Sequence, residues 1–305
     1  MLKYNEFLNT VKSEISERLG ENHEIHIQSF PKNNGIVYDG LVIFQPKQNI
    51  SPTIYLNPYY HWYLDGVPME DIYESIISTY HERNPQKNFD TTEFTDYEKA
   101  KQNIIAKLIN YEKNKELLER VPHVKYLDLA VVFQCLVNKA EDGFATILIH
   151  NHHLDFWNVN AQQLYRAALV NTENLLSFEC ENLETLLQEH MQDIPSNLPL
   201  SECPVYILTN HVKLNGATTI LYDGLLKRIS DTLKQDLMIL PSSLHEVLLI
   251  PVDEPDKINM FTQIVKEVNE TQLSDDEILS DHAYYFSRKM KQLLMPENEV
   301  VWNVG

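Results

Sequence analysis

A short polar segment between two apolar runs carries the residues best suited to catalysis. It contains Ser243, His245 and Glu246, and the flanking runs DLMIL and EVLLIPV predict two strands. If this segment is extended, Ser243 and His245 share one face and Glu246 points the other way. A hydroxyl beside an imidazole is the minimal nucleophile and base, and a carboxylate must orient that imidazole. The alternative is a strand-to-strand turn made by Pro241 and the serines, with His245 bonded to the backbone.

A second group with chemical potential is a dense aromatic segment. Exposed aromatic rings stack on bases and sugars in proteins that bind single-stranded nucleic acid, although the segment has no accompanying lysines. The alternative is a helix or turn whose amphipathic rings cover a core while their hydroxyls reach water. The segment comprises Tyr55, Tyr59, Tyr60, Trp62 and Tyr63.

Neither the histidines nor the cysteines of the chain have the spacing that predicts a metal site. His150 and His152 would point to one side if the preceding strand continued, but a third ligand is missing nearby, and a polar strand end explains both. The three cysteines, Cys135, Cys180 and Cys203, are widely spaced and form no Cys-x-x-Cys pair, which is typical of reduced thiols. The phosphate-binding glycine loops of common nucleotide folds are absent from the sequence. We therefore expect no metal and no cofactor.

Length and charge narrow the function classes. The 305 residues favour two lobes rather than one core, and the 43% content of hydrophobic residues predicts a folded chain. The formal charge of −19, from 44 acidic and 25 basic residues, disfavours direct nucleic-acid binding. Such a charge is also compatible with an acidic protein that mimics nucleic acid to block a defence system.

The sequence predicts a cytoplasmic protein with no membrane association. The first twenty residues contain Glu6, Glu14 and Glu17 and lack the continuous apolar core of a signal peptide. The longest apolar stretch, near residues 127 to 137, is interrupted by Asp128 and Gln134 and is too short to span a bilayer.

The order of predicted elements indicates an α+β fold of mixed, largely antiparallel sheets with flanking helices. An N-terminal lobe, residues 1–92, opens with a helix ending at Gly20, a hairpin over 23–30 and 36–45, and a helix over 69–83. The C-terminal lobe, residues 93–305, has strands in 127–137 and 145–150, helices at 160–173 and 178–191, and strands at 205–209 and 218–222. A helix over 224–234 and another after Pro255 follow, and the last strand spans 283–294. Thr95 with Glu98, and Ser274 with Glu277, have the spacing of helix-capping boxes.

Six runs of the chain resemble a bacterial family known as domain of unknown function 5688. They are KNNGIVYDGL, PTIYLN, NKELLERVPH, TNHVKLNGA, ILPSSLHEV and LSDH. The resemblance implies one composite fold over nearly the whole chain and an accessory gene of Gram-positive gut bacteria or their mobile elements. It implies no reaction.

The motif positions add candidates for ligand binding. Asn57, Asn210 and Asn215 fall on them, and we group these with Tyr59 and Trp62 as predicted ligand-binding residues. Asparagines next to glycine also form tight turns, so this alternative stays open.

Two function classes remain from the sequence. The first is a non-enzymatic binding or accessory protein with an unknown protein partner or small-molecule ligand, because no complete catalytic constellation is present. The second is a small-molecule or acyl hydrolase that uses Ser243 and His245.

Overall fold

The computed structural model describes residues 1–84, 88, 90–140, 143–190 and 204–295. The chain divides into two compact units, Met1–Thr91 (unit 1) and Thr92–Gly305 (unit 2). Every strand pairing among the described residues is antiparallel, and helices flank the sheets. The predicted α+β class is therefore confirmed. In the described part of the chain, no helix combines the length and apolar character needed to cross a bilayer.

Unit 1 packs two helices on one face of a three-stranded sheet. Its first helix buries Phe7, Val11 and Ile15, which recur at four-residue steps, and it ends at Gly20, whose φ of 77° suits a residue without a Cβ. In the central strand, Leu41 and Ile43 alternate with outward residues and join the same core. The elements are α1 Tyr4–Leu19, β1 Glu24–Pro31, β2 Val37–Phe44, β3 Thr53–Tyr55, α2 Asn57–Leu64 and α3 Met69–Arg83, with sheet order β1-β2-β3.

Unit 2 begins with a four-stranded sheet. In it the long central strand pairs with three others, because β6 lies between β4 and β5 and also forms a hairpin with β7. The two residues that link β6 to β7 lie outside the described residues. The elements are α4 Thr92–Thr95, α5 Tyr97–Ala100, β4 Ile104–Asn110, α6 Lys115–Leu118, β5 His123–Tyr126, β6 Leu129–Ala140, β7 Gly143–Leu148, α7 Asn151–Trp157 and α8 Ala161–Leu175.

A six-stranded sheet, of order β13-β12-β10-β11-β9-β8, completes unit 2. One face shares a core with the four-stranded sheet, with α8 and with α10, while α11 covers the other face. The elements are β8 Phe178–Asn182, α9 Leu183–His190, β9 Tyr206–Asn210, α10 Leu225–Leu233, β10 Asp236–Pro241, β11 Val247–Val252, α11 Ile258–Gln272, β12 Tyr284–Ser287 and β13 Gln292–Leu294.

Two stretches of unit 2 differ from the sequence prediction in type. Residues 178–182 form strand β8 rather than the start of a helix. Phe178 and Cys180 share one face of this strand, and the alternating residues Glu179 and Glu181 lie on the other. Residues 216–221 form a 3₁₀ helix rather than a strand. Residues 216–220 of this turn are buried, so its β-branched residues reflect packing and not pairing with a neighbouring strand.

The predicted helix starts were also partly wrong. Asp96, not Thr95, caps α5, because its carboxylate accepts the hydrogen bond from Glu98 N at 3.0 Å. Ser274 opens a turn closed by Glu277 N donating to Ser274 O at 2.9 Å, and no helix follows it within residues 275–295. The predicted strand over 283–294 is a pair of strands, since the chain reverses at Lys291, whose φ is 56°.

A partly buried carboxylate ties the β5–β6 turn to the loop before β12. Asp128 accepts hydrogen bonds from Ser280 Oγ at 2.6 Å, His282 Nδ1 at 3.2 Å and Tyr284 OH at 2.7 Å. Burial raises the pKa of Asp128, but the hydrogen bonds from His282, Ser280 and Tyr284 outweigh it, so this pKa lies below its ordinary value. The charged form therefore stabilises the native state.

We predict that Asp128→Asn destabilises unit 2 by about 2 kcal/mol at neutral pH, because a partly buried hydrogen-bonded network loses its acceptor charge. A carboxyl whose pKa is depressed on folding stabilises above its unfolded pKa and loses that stabilisation as pH falls through the folded pKa. The deficit of the variant should therefore shrink below about pH 4. Urea unfolding between about pH 7 and 3 measures it.

Asp253→Asn is the matched control for this experiment, since Asp253 accepts an exposed hydrogen bond from Gln235 at 3.1 Å. Its unfolding free energy should stay within about 0.5 kcal/mol of the wild type. An equal loss in the two variants, or a deficit that does not change with pH, would contradict a native-state role of the Asp128 charge.

Candidate ligand groove and the loop around His245

An open groove of about 400 Å³ lies between β2 and α2 of unit 1. Two of the predicted ligand-binding residues, Asn57 and Trp62, line it. The spacing of its helical residues, at steps of one and four, places them on one face of α2. The lining residues are Tyr38, Asn57, Pro58, His61, Trp62 and Asp65.

Asn57 fixes the groove by joining its two walls. It is the first residue of α2, and its Oδ1 accepts a hydrogen bond from Asp39 N at 2.8 Å. One residue earlier, Leu56 N donates to Asp39 O at 2.8 Å. The side chain of Asp39 is itself held by Tyr4 OH at 2.9 Å and Ser29 Oγ at 2.6 Å. The start of α2 therefore keeps a fixed position beside Tyr38 on β2.

The aromatic segment splits into a structural part and an exposed part. Tyr59, Tyr60 and Tyr63 pack against the core of unit 1, and Tyr59 OH lies 3.2 Å from Thr79 Oγ1. Trp62 is 46% exposed and lies edge-on to Tyr59, with ring centroids 5.1 Å apart. The core-covering interpretation therefore describes Tyr59, Tyr60 and Tyr63, whereas the ring of Trp62 is exposed.

Within the part of unit 1 that the structure describes, no lysine or arginine lines the groove. Its ionisable groups are the carboxylate of Asp65 and the imidazole of His61, and both residues are exposed. The ammonium of Lys32, which is not a lining residue, lies 3.7 Å from the ring centroid of Tyr55 and 5.9 Å from that of Tyr38. A neutral or cationic ligand fits this set of groups better than an anion.

The loop between β10 and β11 holds the predicted catalytic residues in a closed turn. Ser243 Oγ accepts a hydrogen bond from His245 N at 2.9 Å, and Ser243 N donates to Glu246 O at 3.3 Å. Glu246 Oε1 accepts from Ser242 Oγ at 3.2 Å. In this geometry the serine hydroxyl bonds the backbone of His245, whereas a nucleophile must bond the imidazole of its base.

The imidazole of His245 faces the loop that follows β9. Its Nδ1 lies 3.0 Å from Lys213 O and 3.3 Å from Asn215 N. The hydroxyl of Thr209 donates to His245 O at 2.7 Å. His245 therefore joins two loops of unit 2 through its ring and its backbone.

The predicted binding residues Asn210 and Asn215 shape that same loop. Asn210 Nδ2 donates to Leu214 O at 2.8 Å while Leu214 N donates to Asn210 Oδ1 at 3.2 Å. Asn215 has a left-handed φ of 50°, and its Nδ2 donates to Gln134 Oε1 at 3.2 Å. The structure brings Asn210, Asn215 and His245 together in unit 2, and Asn57, Tyr59 and Trp62 belong to unit 1.

The histidines at 150–153 do not continue a strand. His150 caps α7, and its backbone N donates to His153 Nδ1 at 3.0 Å. Burial, with smaller contributions from His152 and His150, lowers the pKa of His153 to about 4, so this ring stays neutral over most of the pH range. Among the described residues, no group of three or more histidines, cysteines or acids is arranged to hold a metal ion.

Sequence reasoning missed four residues of the groove: Tyr38, Pro58, His61 and Asp65. The signal for two of them was present, because Asn57, His61 and Asp65 recur at four-residue steps in a segment already suspected of being helical. Tyr38 comes from a separate strand, and only the contact between Asp39 and Asn57 places it beside them.

Comparison with known proteins gives one match. The model of a family of unknown function, DUF5688, matches residues 4–288, which confirms the resemblance identified from the sequence motifs. No curated protein and no solved structure matches the chain.

We predict that Gly216→Ala destabilises unit 2 by about 3 kcal/mol, because overpacking a site with no free volume forces the backbone to shift. An added Cβ would collide with Thr209 Oγ1 and with His245 O, and would lie 3.0 Å from Asn210 N. Thermal unfolding measures the loss. Gly224→Ala is the control: its φ is 63° and only Arg228 Nη1, at 3.8 Å, comes near, so strain alone should cost about 1 kcal/mol. Equal losses of stability in the two variants would mean that the close contacts at Gly216 do not contribute to the cost of the substitution.

Proposed function

We propose that this chain, which belongs to the DUF5688 family, is a non-enzymatic binding protein whose ligand occupies the groove of unit 1. We place it in the bacterial cytoplasm, as an accessory protein of mobile-element origin, in accord with the sequence prediction. The observation that supports binding is the exposed indole of Trp62 beside an amide, an imidazole and a carboxylate in one concave surface.

The chemistry of the groove selects a class of ligand. An exposed indole offers a flat apolar face that stacks on a sugar ring or attracts an organic cation. Asp65 accepts hydrogen bonds or pairs with a positive charge, and the amide of Asn57 is already committed through its oxygen to Asp39. We therefore propose a small neutral or cationic molecule with hydroxyl or ammonium donors on one side and an apolar face on the other.

The hydrolase that uses Ser243, His245 and Glu246 stays the alternative proposal. It requires the hydroxyl of Ser243 to leave the backbone of His245 and to reach an imidazole nitrogen. It also requires Glu246 to leave Ser242 and orient that ring. Both changes would open a turn that closes β10 onto β11, so the observed contacts favour a structural role for these three residues.

We predict that Trp62→Ala weakens ligand binding about tenfold, because stacking on an indole contributes on the order of 1 kcal/mol. Titration calorimetry with methyl glucoside, choline and benzoate as probes measures it. Benzoate should not bind, because the lining residues include no lysine or arginine. Asp65→Asn should weaken choline about tenfold and methyl glucoside less than twofold, since only choline carries a charge.

Phe156→Ala is the matched control, since Phe156 is 67% exposed and lies in α7 of unit 2. It should leave the affinity of every probe unchanged. Binding that Trp62→Ala leaves unchanged, or no binding of either cationic or neutral probes at about 10 mM, would overturn the proposed site.

We predict that Ser243→Ala lowers the unfolding free energy by about 1 kcal/mol, because His245 N loses a hydrogen-bond acceptor. Ser274→Ala, at an exposed turn, should change it by less than about 0.5 kcal/mol. A chromogenic acetyl ester tests the alternative in parallel. Ester turnover by the wild type that disappears in a folded Ser243→Ala variant would favour the hydrolase and argue against the binding proposal.

A further inference from the structure

Strand β8 forms one edge of the six-stranded sheet in the described part of unit 2. It pairs with β9, and the bonds at its two ends fix the alternation: His211 N donates to Ser177 O at 2.9 Å, and Leu183 N donates to Val205 O at 2.8 Å. In an antiparallel pair, bonded residues alternate with unbonded ones. The N–H and C=O groups of Phe178 and Cys180 therefore point away from β9.

An apolar groove of about 400 Å³ runs beside this edge, between β8 and helix α10. Phe178 is 41% exposed at its mouth, and Cys180 lies deeper. An extended segment added to β8 would place alternate side chains in this groove. The residues lining it are Phe178, Cys180, Tyr206, Leu225, Arg228, Ile229, Thr232 and Leu233.

The other face of β8 is acidic. Glu179 and Glu181 alternate with the groove residues and point to the opposite side of the sheet. Among the described residues that line the groove, the one cation is Arg228, which is engaged by Glu173 at 3.8 Å and by Asp223 O at 2.9 Å. One side of the edge is thus apolar and the other carries two negative charges.

We propose that β8 receives a strand from a partner protein whose segment alternates apolar residues with lysine or arginine. Its apolar side chains fill the groove beside α10, its cations face Glu179 and Glu181, and its backbone bonds the outward groups of Phe178 and Cys180. Opposite charges across paired strands stabilise the pairing, and the net charge of −19 speeds the encounter with a basic partner. This binding site is independent of the groove in unit 1.

The charges of Glu179 and Glu181 also disfavour pairing of β8 with the β8 strand of a second copy of the chain. Two β8 edges paired antiparallel would set the glutamates of one copy against those of the other, and like charges across paired strands are destabilising. An acidic partner meets the same repulsion. The charge pattern therefore selects a basic, extended segment of a different protein.

The experiment uses the full chain and a fluorescent eight-residue peptide of alternating lysine and valine, followed by fluorescence anisotropy. The first control peptide replaces every lysine by glutamate, and the second keeps the composition with the lysines in one block. We expect saturable binding of the alternating peptide alone. Glu179→Gln combined with Glu181→Gln should weaken it about fivefold, and added salt should weaken it further.

Cys180→Pro tests the backbone pairing. Proline is tolerated in an edge strand where the missing N–H faces outward, so β8 should stay paired with β9 while strand addition is blocked. The affinity should fall at least about tenfold. If this variant fails to fold by circular dichroism, Phe178→Lys serves instead, because it places a like charge at the groove mouth. Phe156→Lys is its matched control and should bind as the wild type does.

Three results of the peptide-binding experiments would overturn the proposal. They are equal binding of the block or glutamate peptide, unchanged binding by folded Cys180→Pro and Phe178→Lys variants, and no binding of the alternating peptide at about 1 mM. Concentration-dependent dimerisation in sedimentation that Phe178→Lys abolishes would also overturn it, in favour of a second copy.

Discussion

Backbone groups in the loops of this protein must find hydrogen-bond partners without regular secondary structure, and asparagine side chains supply many of them. Asn57 accepts from Asp39 N, and Asn210 bonds both the N–H and the C=O of Leu214. Asn110 and Asn269 donate to carbonyl groups of the loop before β12. These amides hold the loops on which both the unit 1 groove and the His245 turn depend.

Local elements followed from the sequence where one physical rule dominated. Helix α1 and its end at Gly20 were predicted because the apolar period and the C-terminal glycine agree. Strand β8 was missed because it has only five residues and runs directly into helix α9. Five residues are too few to distinguish the two-residue period of a strand from the 3.6-residue period of a helix. The 3₁₀ turn after Asn215 was missed because burial, and not strand pairing, selected its β-branched residues.

The sites were only partly predictable, for a similar reason. Trp62 and Asn57 lie close together in the sequence, so this wall of the groove, with its indole and amide groups, could be predicted from the sequence. Tyr38 could not be predicted in the same way, because it lies on a different strand. The hydrogen bond from Asp39 N to Asn57 Oδ1 places it beside α2. Ser243 and His245 were correctly read as adjacent on one loop, but the structure shows which atoms meet. The hydroxyl bonds an amide, and the imidazole faces a neighbouring loop.

The chain contains two Asn-Gly pairs in very different settings, and this bears on its chemical ageing. Deamidation at such a pair requires the glycine nitrogen to approach the asparagine side-chain carbonyl carbon. At Asn215 and Gly216 both residues are buried, and the amide is tied to Gln134. At Asn34 and Gly35 the pair caps an exposed hairpin turn. We therefore expect spontaneous conversion to aspartate and isoaspartate to start at Asn34. Asn215 should deamidate only in unfolded chains.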